Sequence, residues 1–200
     1  LCAAASKDYH HDGRRSYDRC PQCRLVFVDR KQVLPPAEER AIYDLHCNDP
    51  ADEGYRAFLS RLLCPLAEQL PPQSSGLDFG CGPGPALSVL FEERGHTMTL
   101  YDPFYFSDAG ALERTYDFVT ATEVVEHMRY PARDLPILWG CVKPGGILGI
   151  MTKLVRGHSA FASWHYRRDE THISFFSAAT FRWLARHWQA PVRIIGSDVI

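Results

Sequence analysis

The sequence predicts an α/β domain built on a mostly parallel sheet, and three observations predict it. From Ser75 onward, short apolar runs alternate with amphipathic segments, the pattern of repeated βα units. The first of those runs opens directly into a glycine-rich turn, Gly80-Cys81-Gly82-Pro83-Gly84, ahead of a helical segment that ends at Gly95. The chain has 200 residues, 46% of them apolar, which is enough to bury one substantial core with room for a small appendage.

Three segments follow in order. Residues 1–33 are short, polar and irregular, with Cys20-Pro21-Gln22-Cys23 ahead of the strand-like Leu25-Val26-Phe27-Val28, and read as a small module of their own. Residues 34–72 carry helical spacing over Ala37–His46 and Tyr55–Leu70, punctuated by Pro35-Pro36 and Pro71-Pro72. Residues 73–200 hold the main domain, with strands expected at Leu77–Gly80, Thr97–Tyr101, Phe118–Ala121 and Ile147–Thr152. A further strand is expected at Val192–Ile195, after a helix over Ala178–His187. Ser177 is placed to N-cap that helix, with Thr180 expected to leave the reciprocal half of a capping box unfilled.

Charge narrows the function classes. The formal net charge is −2, with both signs interspersed, so there is no footprint for general nucleic-acid or membrane binding and a small-molecule or protein substrate is favoured. No stretch approaches the roughly 20 apolar residues that span a bilayer, and no leader is evident, so a soluble, cytoplasmic protein is expected. The seven cysteines then read as reduced thiols, with Cys64 and Cys141 as core packing. Oligomeric state is not legible.

The glycine turn is the leading candidate for a cofactor site. Backbone amides at a helix N-terminus can approach a ligand closely there, and Asp78, Gly80, Cys81, Gly82 and Gly84 are the candidate residues. A dinucleotide fingerprint wants a further glycine where Pro85 stands, and the glycines instead fall on alternate residues, which favours S-adenosylmethionine over a nicotinamide cofactor. Asp102 ends the next strand, where a carboxylate can accept both ribose hydroxyls. Tyr101 and Phe104 are candidates to flank the adenine, with ordinary packing as the alternative.

Leu77 to Gly84, Tyr101-Asp102, Tyr116-Asp117-Phe118-Val119, Glu123-Val124-Val125-Glu126-His127 and Val142-Lys143-Pro144-Gly145-Gly146-Ile147 together resemble the class I S-adenosylmethionine-dependent methyltransferases, over roughly residues 75–200. The resemblance implies a Rossmann-like sheet with helices on both faces. It also implies that Gly80, Gly82, Gly84 and Asp102 hold the cofactor and that Thr122 lies beside its methionine part. One departure stands out. Fourteen residues separate Asp102 from Asp117, too few for the usual helix, strand and helix, so the sheet is expected to be shortened around its third strand.

A second constellation follows the fourth strand of that family. Glu123, Glu126 and His127 would share a face if a helical turn starts there, and His172 lies before a later helix. Such oxygen and nitrogen ligands suit a divalent metal; the alternative is hydrogen-bonded scaffold. The set resembles that of ubiquinone-pathway O-methyltransferases and of RNA 2′-O-methyltransferases acting on small-RNA ends. That resemblance implies a metal contacting the hydroxyl to be methylated. His165, between Trp164 and Tyr166, reads as pocket wall.

Cys20 and Cys23 have metal-knuckle spacing, and Cys2 reads as the second member of a pair whose first cysteine would precede Leu1. Some bacterial class I methyltransferases carry a similar ribbon, which implies structural zinc. Arg24 stands where the glycine of such a knuckle is usual, and a metal-free strand-turn segment is the alternative. His10 and His11 are further candidate ligands, or surface residues. Methyl transfer, most simply to a small-molecule hydroxyl, is the leading function, with a non-catalytic cofactor-binding or regulatory module as its rival.

Overall fold

Two four-stranded sheets organise the chain, one parallel and one antiparallel. The computed structural model describes every residue except His46 and Cys47, so the end of the first predicted helix and one of the seven thiols lie outside the described residues. The eight strands are β1 Lys7–His11, β2 Ser16–Arg19, β3 Val26–Val28, β4 Ser75–Phe79, β5 Thr97–Tyr101, β6 Tyr116–Thr122, β7 Val142–Met151 and β8 Ser174–Phe175. The α-helices are α1 Pro36–Tyr43, α2 Glu53–Ala67, α3 Ala86–Glu92, α4 Pro131–Gly140, α5 His158–Ala162 and α6 Ala178–Trp188. They divide into two compact units.

The sheet unit comprises Arg40–Val124 and Arg133–Met151. Its strands run parallel in the order β5-β4-β6-β7. β6 is buried along most of its length because it has neighbours on both sides, which is why its sequence is apolar rather than alternating. Leu77, Tyr116, Val119 and Cys141 form one core here. Among the described residues no strand lies beyond β5, and a short 3-10 turn over Ala109–Glu113 stands between β5 and β6. The shortening expected from the Asp102–Asp117 spacing is therefore present.

The ribbon unit comprises Leu1–Glu39, Val125–Ala132 and Thr152–Ile200. The N-terminal hairpin thus belongs, in space, with the C-terminal quarter of the chain. Its antiparallel sheet has the order β1-β2-β3-β8, with Val26 opposite Phe175. Tyr17, Val26, Val28, Phe161, Tyr166, Ile173 and Phe175 form its core. A segment this polar cannot bury a core by itself, and the aromatics of residues 161–175 supply what it lacks.

Three expectations are corrected. Val192–Ile195 is not a strand: Ile195 pairs only with Val199, in an isolated bridge. The capping box of α6 is complete, because the Thr180 hydroxyl accepts from the Ser177 N–H at 3.2 Å while Ser177 Oγ accepts from the Thr180 N–H at 3.2 Å. Cys64 is exposed rather than packed in the core: α2 buries the face bearing Leu59, Leu62, Leu63 and Leu66, and Cys64 falls off it. Cys141 is fully buried, as expected.

Candidate functional site

The glycine turn sits at the C-terminal end of β4, in the sheet unit. Gly80 and Gly82 have φ of +72° and +65°, a conformation that side-chain-bearing residues rarely adopt. The Gly80 N–H donates to the Tyr101 carbonyl at 2.7 Å, fastening the turn to the end of β5. A methyl group at Gly84 would stand 2.3 Å from the Asn48 carbonyl oxygen, so the backbone before α2 closes directly on the turn. The Gly82 N–H reaches the Asp102 carboxylate at 3.1 Å, and the other Asp102 oxygen accepts from the N–H groups of Phe104 and Tyr105 at 2.8 and 3.2 Å. A carboxylate offers about four acceptor positions, so roughly one is left for a ligand unless the Gly82 contact yields.

Asp78 lies behind this turn, fully buried, with Thr120 Oγ1 donating at 2.9 Å and Ser88 Oγ at 3.0 Å. Burial outweighs both hydroxyls and pushes its carboxyl up to about 6. It braces β4, β6 and α3 together. Burial likewise raises the Cys81 thiol, so it is no nucleophile at neutral pH. At the tip of β6 the Thr122 hydroxyl oxygen is buried with no hydrogen-bond partner among the described residues. An orphaned hydroxyl at the end of a parallel strand is what a polar ligand part would satisfy.

A different chemistry gathers in the ribbon unit. One ligand atom from each of Glu126, His127 and His172 falls within 4.8 Å of the others. Glu126 and His127 come from a 3-10 turn over Val125–His127, and Glu126 is completely buried, taking the Tyr166 hydroxyl on its carboxylate. His172 Nδ1 lies 2.7 Å from the Tyr166 carbonyl and His127 Nδ1 lies 3.1 Å from the Thr171 carbonyl. A carbonyl can only accept, so both rings carry a proton on Nδ1, and in its neutral form each ring leaves Nε2 as the nitrogen with a lone pair. Burial, followed by the nearby cations Arg15 and Lys153, lowers the His172 pKa against the pull of Asp169, which keeps the ring neutral. Two imidazoles beside a buried carboxylate form a donor set that suits a divalent cation.

The same unit holds the thiols. Cys2, Cys20 and Cys23 bring their sulfurs within 4.8 Å of one another, with Cys2 Sγ and Cys20 Sγ 3.3 Å apart. The N–H groups of Gln22 and Cys23 both point at Cys20 Sγ, at 3.4 Å. Burial would raise the Cys20 thiol, but these N–H groups and Cys2 hold it down to about 7. Arg24 takes φ of +66°, so the knuckle conformation forms without glycine. Neither histidine candidate joins the sulfurs: His11 Nε2 pairs with Asp8 at 2.9 Å, and His10 packs against Tyr17, His158 and Phe161.

Comparison with known proteins decides the family. A family model described as a methyltransferase domain matches residues 51–189, more than two thirds of the chain. The chain belongs to the class I methyltransferase family. Among solved structures, this methyltransferase domain is similar to the 1,6-didemethyltoxoflavin-N1-methyltransferase of Burkholderia thailandensis, crystallised with its substrate and S-adenosylhomocysteine. The two share 15% identity over 96% of each chain, with a TM-score of 0.56. An O-methyltransferase family protein from the same organism is 17% identical over 80% of this chain and 57% of its own, with a TM-score of 0.53. At such identities the likeness shows the fold. The 2-methyl-6-phytyl-1,4-hydroquinone methyltransferase of Synechocystis sp. is 29% identical in a 147-position alignment that covers 62% of this chain and 43% of the relative. The domain therefore spans less than half of that relative's length.

The predicted site residues of this methyltransferase domain fall into two sets. Asp78, Gly80, Cys81, Gly82, Gly84, Tyr101, Asp102 and Thr122 all belong to the sheet unit, with the Tyr101 ring 5.1 Å from that of Phe79. Glu126, His127 and His172 come together in the ribbon unit, whereas Glu123 ends the strand side, in the sheet unit, at φ of +52°. That left-handed residue breaks the helical turn that would have placed Glu123 and Glu126 on one face. His165 Nε2 lies 3.1 Å from Lys153 Nζ. Sequence reading missed Ser88 and Thr120, which hold Asp78, and Tyr166 and Thr171, which orient the imidazoles; none has a local motif that announces its partner. No described helix is long and apolar enough to cross a membrane.

Proposed function

We propose that this domain transfers the methyl group of S-adenosylmethionine to a hydroxyl of a small-molecule acceptor. The observation that carries the cofactor half is the strand-end turn itself: two left-handed glycines, an amide on the Asp102 carboxylate and the unpartnered Thr122 hydroxyl. Gly80, Gly82 and Gly84 would bring backbone to the methionine and ribose, Asp102 would take the ribose hydroxyls, and Thr122 would face the methionine part. The bound sulfonium supplies an activated methyl group. The acceptor oxygen attacks the methyl carbon, the carbon–sulfur bond breaks and the hydroxyl proton passes to a base, so orientation supplies most of the acceleration.

Calorimetry with S-adenosylhomocysteine tests this half. Asp102→Ala is expected to weaken binding by roughly 1.5 to 3 kcal/mol, the range for a hydrogen bond to a charged group. Equal affinity in the two proteins would remove Asp102 from the site.

For the acceptor half, the reading rests on Glu126, His127 and His172. Their donor set would hold a divalent cation, with the chemistry of lowering a hydroxyl's pKa, and Glu123 stays a candidate for the proton or for the cation. Since the Synechocystis relative is named for a hydroquinone, dihydroxy aromatics are the first acceptor class to assay. Chelation is expected to abolish turnover and spare cofactor binding, and a fully active His172→Ala would end this reading. The Cys2, Cys20 and Cys23 sulfurs supply three of the four ligands of a structural zinc site, a reading supported by the amide-to-sulfur contacts at Cys20. Near-stoichiometric zinc in protein purified without added metal, lost in Cys20→Ser/Cys23→Ser, is expected; metal-free, well-folded wild type would reject it. A reducing cytoplasmic setting accords with the free thiols.

A further inference from the structure

The loop that carries His172 is held by one side chain from the far end of the sequence. Arg15 lies in the turn between β1 and β2, and its guanidinium donates to four carbonyls: Arg167, Asp169 at 3.0 Å, Glu170 at 3.3 Å and His172 at 3.0 Å. These carbonyls bracket the two that orient the imidazoles. Thr171, whose carbonyl takes His127 Nδ1–H, sits between the clamped carbonyls of Glu170 and His172; Tyr166, whose carbonyl takes His172 Nδ1–H, directly precedes that of Arg167.

Arg15 is itself fixed. Asp12 Oδ1 accepts from the backbone N–H groups of Arg14 at 3.0 Å and Arg15 at 2.8 Å. Asp12 Oδ2 accepts from the Tyr17 hydroxyl at 2.9 Å and from the Arg167 guanidinium. The Arg15 guanidinium also lies 5.5 Å from the centre of the Tyr17 ring. Residues 168–173 contain no helix or strand beyond the last turn of a 3-10 segment; the His172 N–H donates to the Asp169 carbonyl at 3.3 Å, while Arg15 is the donor that gathers the carbonyls of Arg167, Glu170 and His172. A planar fork of five donors can bind several carbonyls at once, and the ammonium of lysine cannot reproduce that geometry.

We propose that Arg15 is a positioning residue for His127 and His172: by gathering the 167–172 carbonyls it locks both rings as Nδ1–H tautomers and so leaves Nε2 as the nitrogen each ring offers to a cation held with Glu126. This rests on the reading of Glu126, His127 and His172 as a cation site, and it assigns the N-terminal hairpin a role in acceptor chemistry. It also differs from ordinary stabilisation in what it controls, namely which nitrogen of each ring carries the proton.

Long-range nitrogen–proton NMR on the metal-free, full-length protein reads that tautomer directly, and manganese titration followed by water-proton relaxation reads the site. Wild type is expected to show His127 and His172 protonated on Nδ1. In Arg15→Ala both rings should move to an averaged or Nε2–H pattern, with S-adenosylhomocysteine affinity and the His96 signals unchanged and manganese affinity at least tenfold weaker. Arg15→Lys should fall between. An Arg15→Ala protein that binds S-adenosylhomocysteine normally and keeps both Nδ1–H tautomers overturns the proposal, even if manganese binds, in which case the cation reading stands alone. Shifted tautomers in a protein whose wild type binds no manganese would uphold positioning and reject the cation reading. Should Arg15→Ala fail to fold, Arg15→Gln and Arg15→Lys decide by the same spectra: unchanged tautomers in both overturn it.

Discussion

Asp12, part-buried in the turn between β1 and β2 of the ribbon unit, and Asp78, buried in β4 of the sheet unit, have their carboxyls shifted in opposite directions by their surroundings. Burial pushes Asp78 up to about 6, because its partners are two neutral hydroxyls, of Thr120 and Ser88. Burial would raise Asp12 as well, but the N–H groups of Arg15 and Arg14, the Tyr17 hydroxyl and the Arg167 guanidinium hold it at about 2. The wider charge runs the same way. The ribbon unit has fifteen Lys and Arg against ten Asp and Glu, and the sheet unit seven against fourteen, so the first favours a buried anion and the second opposes one. The deeper burial of Asp78 and the richer donor set of Asp12 thus push the two carboxylates apart in the same sense, and at Asp12 the donors outweigh the burial it has.

The sharpest way to break this comparison is Asp12→Asn. It leaves the nearly buried Arg167 guanidinium without its anion and is expected to cost about 3 kcal/mol in urea unfolding at pH 7. Because the folded pKa of Asp12 is depressed, its contribution is present above pH 4 and lost as pH falls toward 2, so mutant and wild type should converge there. Equal stability at pH 7 would show that Arg167 does not depend on Asp12.

Asp78→Asn should act with the opposite sign. A raised folded pKa means that folding takes up a proton between pH 4 and 6, so wild-type stability falls as pH rises through that window. The asparagine variant has no such loss and is expected to be more stable by about 2 kcal/mol at pH 8 and equal at pH 4. A parallel pH profile for the two proteins would mean that Asp78 stays ionised. The smallest effect is expected at Asp117, which has cation and hydroxyl partners within the sheet unit: Lys143 Nζ at 2.8 Å and the Ser75 N–H and hydroxyl hold its carboxyl at about 2. It is 37% exposed, so solvent screens the pair and Asp117→Asn should cost less than about 1 kcal/mol by thermal melting. A larger loss would rank local donors above exposure.

The parallel sheet is legible in the sequence because each of its strands is a local apolar run with a turn at its end. Thr97–Tyr101 matches to the residue, and Phe118–Ala121 lies inside Tyr116–Thr122. The placement of Asp102 and the glycine turn at strand ends is legible for the same reason, since it follows from their place in the chain. Val192–Ile195 shows the limit: its β-branched residues fit a strand, but among the described residues no partner strand lies beside it, only the bridge to Val199. Arg24 shows another, since a left-handed residue need not be glycine when neighbouring hydrogen bonds, from the Cys20 N–H to the Leu25 carbonyl and from the Arg24 N–H to the Cys20 carbonyl, hold the turn.

By itself, then, the amino-acid sequence determined the α/β class, the order of the parallel strands' turns, the shortened third-strand region and the residue types at the glycine turn, all of which depend on short-range periodicity and spacing. The tertiary structure alone decided that the N-terminal hairpin completes its sheet with β8, that Glu126 meets His172, and that Arg15 reaches the carbonyls of residues 167–172. Those contacts join residues far apart in sequence, and hydrogen bonds to backbone carbonyls leave no side-chain signature at the accepting position. A sequence therefore shows which groups are available to donate, and only the folded chain shows where they converge.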